Sequence, residues 1–556
     1  MEDTLLSLLH GFSIAFAPSN LWYAFLGCLV GTLVGVLPGI GPLSGISILL
    51  PVTFGLNATQ AVIMLAGIYY GSQYGGSTTS ILMRIPGEAS SVMTCIDGNA
   101  MARKGRGGAA LCIAAVGSWV AGTFGVIMLT LLAPPLAVLA LKFGPPEYTA
   151  LLVLGLIFLA YMSSTSLVRT LLMAALGLML GMIGIDNMTG HFRYAFDLPE
   201  LGDGIGIVPV AVGLFGLGEI LATPSHKVAG DVISPKFREL RPNRDEWRKS
   251  TLPIARGSVL GFIIGIIPGS AHIISSFLSY ALEKKLSNTP DEFGKGAVEG
   301  VAGPESANNA ASTGAFVPML ALGLPTGPIT AVLIGALMIH GVPAGPALIN
   351  EHPQVFWGFV ASMYVGNLML LLLNLPLVGL FVSVLRIPYA YLYPLIIMFC
   401  IIGVYEVSHS IVDVWIMLIM GGLGYMLKKF GFDPAPLVLG LVLGNALGLS
   451  SWAGAGLGIF FRWVSLTGKL KWTDQAATAL IVIGAVAGWF AASSGIAAHG
   501  VAERIPGAVH AVQEHEDMLA ALVALVLPAA VRAQEPATTH GTSRSRNHRC
   551  TAPVER

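Results

Sequence analysis

The chain has 556 residues, of which 54% are hydrophobic and only 11% charged, with mean hydropathy +0.75 and a formal net charge of zero. Soluble domains carry about 25% charged residues, so this composition excludes a water-soluble fold and points to a polytopic membrane protein. No basic face interleaved with aromatics is present, so nucleic acid is not an indicated partner, and five cysteines without CxxC or CxH spacing exclude a disulfide framework or metal cluster.

The N-terminus carries Glu2 and Asp3 rather than a basic leader, so residues 1–20 predict no cleavable signal. Apolar stretches then occupy 21–54, 58–85, 108–141, 147–162, 167–190, 205–224, 252–282, 312–348, 354–385, 387–404, 411–427, 432–450 and 477–497. At about 20 residues per crossing, they predict an all-α polytopic membrane protein of about a dozen segments. Several long runs carry internal Pro or Gly and predict broken or re-entrant helices.

The first such run contains Gly31, Gly35, Pro38 and Gly39 in GTLVGVLPG, and a later one contains Gly261, Gly265, Pro268 and Gly269 in GFIIGIIPG. The two superimpose without a gap. Small-xxx-small spacing alone suits ordinary helix packing, but the attached Pro-Gly frees backbone groups that only protein, ligand or ion can satisfy in a bilayer. Paired interruptions in two halves mark a transporter binding site. Behind the first break lies a polar cluster at 70–80 with candidate ligands Ser72, Gly75, Gly76, Ser77, Thr78 and Thr79, then Ile85-Pro86-Gly87. Behind the second lies 306–314 with Asn308, Asn309, Ser312, Thr313 and Gly314, then Leu324-Pro325-Thr326-Gly327.

Between the breaks, residues 226–249 hold seven Lys/Arg, which the positive-inside rule places in the cytoplasm. This basic loop, 223–252, separates a first membrane repeat at 1–222 from a second at 253–465. Segments 142–186 and 385–433 also match, Pro145 with Pro388, Gly181 with Gly424 and Asp186 with Asp433. Two matches in the same order argue for duplication. The second copy starts from the cytoplasm, whereas the first follows an N-terminus without Lys or Arg, which favours inverted topology.

The two clusters predict one site for substrate or ion. Half-helix N-termini carry partial positive charge and favour a carboxylate, and carbonyl ends with Ser, Thr and Asn oxygens could hold Na+. No cofactor is indicated. Among ionisable residues in apolar stretches, Glu305 beside Asn308 and Asn309, and Arg84 just before Pro86-Gly87, are candidates for either a proton relay or a structural ion pair.

The blocks GTLVGVLPGIGPLSGISILLPVTF, YYGSQYGGSTTSILMRIPGEASSVMTCIDGNAMARKGRGGAAL and FGKGAVEGVAGPESANNAASTGAFVPMLALGLPTGPITAVLIGAL resemble the large membrane subunit of the tripartite tricarboxylate transporters, the TctA-like family, and 186–221 fits as well. The resemblance runs over roughly residues 5 to 450. It implies a multi-pass permease in the bacterial cytoplasmic (inner) membrane that imports small, tricarboxylate-like carboxylates by symport with Na+ or H+. It also implies a small membrane subunit and a periplasmic solute-binding protein as partners. No Walker A sequence is present, in keeping with gradient rather than ATP energy.

The C-terminal part departs from that pattern. Residues 466–500 predict an extra membrane segment, and 501–556 an atypical tail in which 518–533 reads like a signal-peptide apolar region and 534–556 is expected to be disordered. Two other function classes compete. An intramembrane enzyme could pair Ser77 with His272 or His340, but GGSTT lacks the GxSxG form. A passive anion channel needs a continuous pore, whereas duplicated interrupted helices with amide clusters suggest occlusion. The expectation is therefore a transporter, not an enzyme.

Overall fold

The computed structural model describes residues 2–37, 41–142, 165–185, 192–195, 198–222, 237–269, 271–384 and 389–447. Pro38, Gly39, much of the basic loop, the 466–500 segment and the 501–556 tail lie outside them.

The described residues are mostly helical. In the first half run α1 (Glu2–Ala15), α2 (Pro18–Val36), α3 (Gly41–Leu49), α4 (Ala58–Met83), α5 (Val92–Met101), α6 (Gly107–Ala140), α7 (Leu167–Leu180) and α8 (Ile207–Ala222). In the second run α9 (Arg244–Ile266), α10 (Ala271–Leu286), α11 (Glu299–Gly314), α12 (Phe316–Leu322), α13 (Pro328–Ile339), α14 (Pro346–Glu351), α15 (Pro353–Asn374), α16 (Val378–Val384), α17 (Tyr389–Ser408), α18 (Ile411–Lys429) and α19 (Ala435–Leu447). Set against the all-α expectation, the described residues include a two-stranded ladder, Gly184–Ile185 against Phe192–Arg193, antiparallel. Two residues per strand suffice only to close a hairpin in this glycine-bearing segment. Among the described residues, four helical segments are long and apolar enough to cross a membrane: Pro18–Val36, Ala89–Ala140, Pro353–Asn374 and Ile411–Lys429.

Capping fixes the starts of α4 and α9. Asn57 Oδ1 accepts from the Gln60 N–H (3.0 Å) and Gln60 Oε1 accepts from the Asn57 N–H (3.3 Å), so α4 opens on a reciprocal box. Asn243 and Glu246 repeat the device at α9. At its other end α4 stops at Arg84, which is exposed and left-handed (φ 59°).

α2 packs along α4, and α9 along α11. Gly27, Gly31 and Gly35 lie on the carbonyls of Met64, Ile68 and Ser72, while Gly257, Gly261 and Gly265 lie on those of Gly303, Ala307 and Ala311. A Cβ at Gly35 would stand 2.1 Å from Ser72 O, and one at Gly261 the same 2.1 Å from Ala307 O. Backbones this close admit no side chain, which is the use of small residues where lipid offers no hydrophobic drive for association. An edge-on ring cluster then ties the halves, with Phe316 centred 5.9 Å from Tyr69 and 5.2 Å from Phe359. α6 lies against α4, α11 and α15, and its many buried small residues make room for all three.

Candidate functional site

The two polar clusters fall in helix interiors. Ser72 to Ser80 belong to α4 and Ser306 to Gly314 to α11, and nearly all of them are buried. Such residues are tolerated inside a helix because hydroxyls back-bond to the preceding turn: Thr78 Oγ1 to Tyr74 O (3.4 Å), Ser306 Oγ to Ala302 O (2.8 Å) and Thr313 Oγ1 to Asn309 O (3.1 Å). Others of these groups reach across the seam between the halves.

There the halves exchange carboxylates. Glu305, on α11, accepts from Ser77 Oγ of α4 at Oε2 (2.6 Å) and from Thr94 Oγ1 of α5 at Oε1. Glu88, just after α4, accepts at Oε1 from Ser90 Oγ (2.5 Å) and from Asn308 Nδ2 of α11 (3.1 Å). Gln73 lies between them. With its amide nitrogen turned to Glu88 it donates to that carboxylate and to Asn308 Oδ1 (2.7 Å), and it accepts from Ser312 Oγ (3.0 Å); the opposite orientation sets its oxygen against other acceptors.

Glu305 is 1% and Glu88 7% exposed, and among the described residues neither forms an ion pair with Lys, Arg or His. A carboxylate out of water without a counter-charge is strongly disfavoured. Each must take a proton or be balanced by a cation from outside.

The other predicted residues distribute around this seam. Asn309 Nδ2 donates to Ser118 Oγ of α6 (2.7 Å) and to Glu305 O (3.0 Å). Ser77 and Thr78 line a cleft with Tyr74, Ser118 and Asn374, and Asn309 and Thr313 line another with Tyr70 and Asn367. Thr79 turns away and donates to Val36 O at the end of α2 (2.7 Å). Gly75 packs on Thr32 and Gly35, Gly314 packs on Phe262 and Gly265, and Gly76 abuts the Glu88 side chain. Ser72 Oγ is buried without a partner among the described residues.

At the second break α9 ends at Ile266 and α10 begins at Ala271. Pro268 is half-buried and Gly269 buried, with φ 141°, a conformation that L side chains avoid. The Gly269 N–H donates to Thr326 O (2.6 Å), closing the break on the Pro325 turn of its own half. The contacts between the halves at the site thus run from α4, α5 and α6 to α11, and Pro38 and Gly39 lie outside the described residues. Arg84 sits on the exposed cap of α4 and forms no ion pair with Glu88 or Glu305 among the described residues. Ser77 bonds to Glu305 and Gln73 O, and among the described residues no hydrogen bond joins it to His272 or His340.

Residues 21–439 match the model of the tripartite tricarboxylate transporter TctA family. The chain belongs to this family. An uncharacterized 52.8 kDa protein in the TAR-I ttuC' 3' region of Agrobacterium vitis is 49% identical to it over 447 residues, 80% of this chain and 89% of that protein. An uncharacterized protein in the TAR-II ttuC' 3' region of the same organism is 50% identical over 187 residues, 34% of this chain and 77% of that protein. No solved structure matches. As a TctA-family member the chain is a membrane-type component of a transporter.

In this TctA-family chain the seam draws on residues outside the predicted set. Glu88, Ser90, Thr94 and Ser118 come from a turn and two helices that read as connection or packing. Their signal was faint: in a chain with 11% charged residues, a Glu directly after Pro-Gly and beside a polar cluster is uncommon. Asp97, wholly buried, is another. Its Oδ1 accepts from the N–H groups of Gly294 (2.8 Å), Gly296 (2.7 Å) and Ala297 (2.9 Å), and its Oδ2 from Tyr280 OH (2.8 Å), which holds the entry to α11 against α5.

Proposed function

We propose that the chain is the membrane-embedded permease of a binding-protein-dependent secondary importer of small, tricarboxylate-like carboxylates, driven by a Na+ or H+ gradient across the bacterial inner membrane. It works with a small membrane subunit and a periplasmic solute-binding protein, the partners that a tripartite system implies. The observation that carries this reading is the pair of buried carboxylates, Glu88 and Glu305, each held by hydroxyl or amide groups of the opposite half and lacking a basic partner among the described residues. An acidic substrate would be repelled there unless a cation or proton arrived with it, and that requirement is gradient coupling in physical form. Substrate carboxylate is taken by the Ser, Thr and Asn groups of α4 and α11 beside the breaks.

The halves act as duplicated, inverted repeats. In support, Gly75 sits on Thr32 and Gly35 as Gly314 sits on Phe262 and Gly265, so the contact recurs with α2 shifted by 230 residues onto α9 and α4 by 239 onto α11. A block carrying the seam moves against the rest in alternating access.

Reconstitution with the two partner subunits tests the proposal. Uptake of citrate, dicarboxylates or aromatic acids should follow an imposed Na+ or H+ gradient, collapse with an ionophore and survive ATP depletion. Uptake that needs ATP, or that equilibrates passively without either ion, would sink it.

A further inference from the structure

A narrow cleft between α4, α6 and α15 is lined by Tyr74, Ser77, Thr78, Ser118 and Asn374. Asn374 is 7% exposed. Its Nδ2 donates to Leu370 O (2.9 Å) and reaches Thr32 Oγ1 (3.5 Å), which fixes the amide and leaves Oδ1 buried with no donor among the described residues. Buried carbonyl oxygens nearly always have a partner, and one without calls for a ligand, an ion or a water. The opposite wall leads to uncompensated charge. Ser77 donates to Glu305 Oε2 (2.6 Å), and Ser118 Oγ accepts from Asn309 Nδ2 (2.7 Å), which also donates to Glu305 O (3.0 Å).

The donor set has a definite chemical preference. It is all oxygen, which suits a hard cation and not a soft transition metal. It holds one carboxylate, one hydroxyl away, among neutral hydroxyl and amide oxygens, whereas Ca2+ gathers several carboxylates and Mg2+ keeps several waters. A monovalent ion balances the single charge. We propose that this cleft is a Na+ site, in which Asn374 Oδ1 and the hydroxyl oxygens of Ser77, Thr78 and Ser118 face the ion and Glu305 supplies the compensating charge through Ser77. The assignment rests on the gradient-driven reading above and gives it a specific ion and place. Because α4 belongs to the first half while α15 and Glu305 belong to the second, occupancy ties the two halves together.

The test is thermal unfolding of the purified full-length chain in detergent, with NaCl titrated against choline chloride at constant ionic strength. The midpoint should rise with Na+, since an ion that binds only the folded state stabilises it. Asn374→Leu should move that response to at least about tenfold higher Na+, and Asn374→Asp, which keeps an oxygen in place, should restore it. Where Asn374→Leu folds poorly without salt, Ser118→Ala removes one ligand and leaves the Asn374 bonds intact, and it should weaken the response in the same direction. Equal responses to Na+, K+ and choline, or a wild-type Na+ response in both Asn374→Leu and Ser118→Ala, would overturn the site. Proteoliposome uptake separates the two readings. Carboxylate uptake on a proton gradient with no Na+ response would remove the site and leave the transporter standing, whereas no uptake on any gradient would remove the transporter reading whatever the melting curves show.

Discussion

The α2/α4 pair and the α9/α11 pair make the same backbone contact with different side chains. Along α4 the inward small residues are Gly67, Gly71 and Gly75; along α11 the corresponding places hold Ser306, Ala310 and Gly314. The first pair is glycine on both faces, whereas the second allows hydroxyl and methyl groups on one. The carboxylates differ as well. α11 carries Glu305 within its own length, while the first half brings Glu88 in from the turn beyond α4. Close helix contact is therefore the common element and the placement of charge is the variable one, which leaves each half holding the other's acid.

The sharpest way to break this comparison is to remove the acids one at a time. Glu305→Gln and Glu88→Gln keep size and lose the anion, and hydrogen bonds to charged groups are worth about 1.5–3 kcal/mol, or roughly a 10- to 100-fold fall in uptake. Both variants should insert at wild-type levels, checked by quantifying purified protein, and both should lose uptake by similar factors. A large loss in one and none in the other would mean that the halves do not share the site.

A second prediction separates the two pairs by their packing. A Cβ at Gly71 would meet Cys28 O at 2.6 Å, so Gly71→Ala should destabilise by about 1–3 kcal/mol through overpacking. The corresponding Ala310→Gly removes a methyl the second pair already accommodates and should cost about 0.5–1 kcal/mol from backbone entropy. Denaturation of the two variants in one detergent compares them directly. Equal losses would mean the pairs are equally tight.

Gly269 offers a third, smaller test. Its φ of 141° strains any side chain, so Gly269→Ala should cost about 1 kcal/mol or somewhat more. The N–H to Thr326 O is kept, so limited proteolysis near residues 267–270 should change more than the global melting midpoint. An unchanged digestion pattern would show that the break tolerates a side chain.

Much of the arrangement was legible in the chain. The glycine spacing located both close helix pairs, and the hydroxyl and amide runs located the segments that meet at the seam, because both depend on local patterns that survive translation into a helix. Glu305 stood out as an acid inside such a run. Glu88 and Asp97 did not, since only tertiary packing turns a polar turn into a buried one. Asn374 lay at the end of a long apolar helix, where an amide reads as an interface residue. The sequence also weighted the Pro-Gly breaks; the second closes on Thr326 of its own half, and Pro38 and Gly39 of the first lie outside the described residues.

The mildest prediction concerns the same two halves at a partly exposed contact. Arg106, in the turn between α5 and α6, donates to Glu246 at the start of α9 (Nε to Oε1, 2.9 Å) with a second, bidentate bond from Nη2. Burial alone would raise the Glu246 carboxyl, but the hydrogen bond from Arg106, the Asn243 N–H and the Arg106 charge outweigh it and hold its pKa below the ordinary value. A depressed carboxyl contributes stability that is fully present above its unfolded pKa, about 4.3, and lost as pH falls through the lower folded value. With Arg106 37% exposed, solvent screening keeps the contribution under about 1 kcal/mol. Arg106→Gln should therefore lower the melting midpoint slightly at neutral pH, and the difference from wild type should shrink as pH drops through the acid range and as salt rises. A difference that persists unchanged at acid pH would show that Arg106 acts by packing and not by charge.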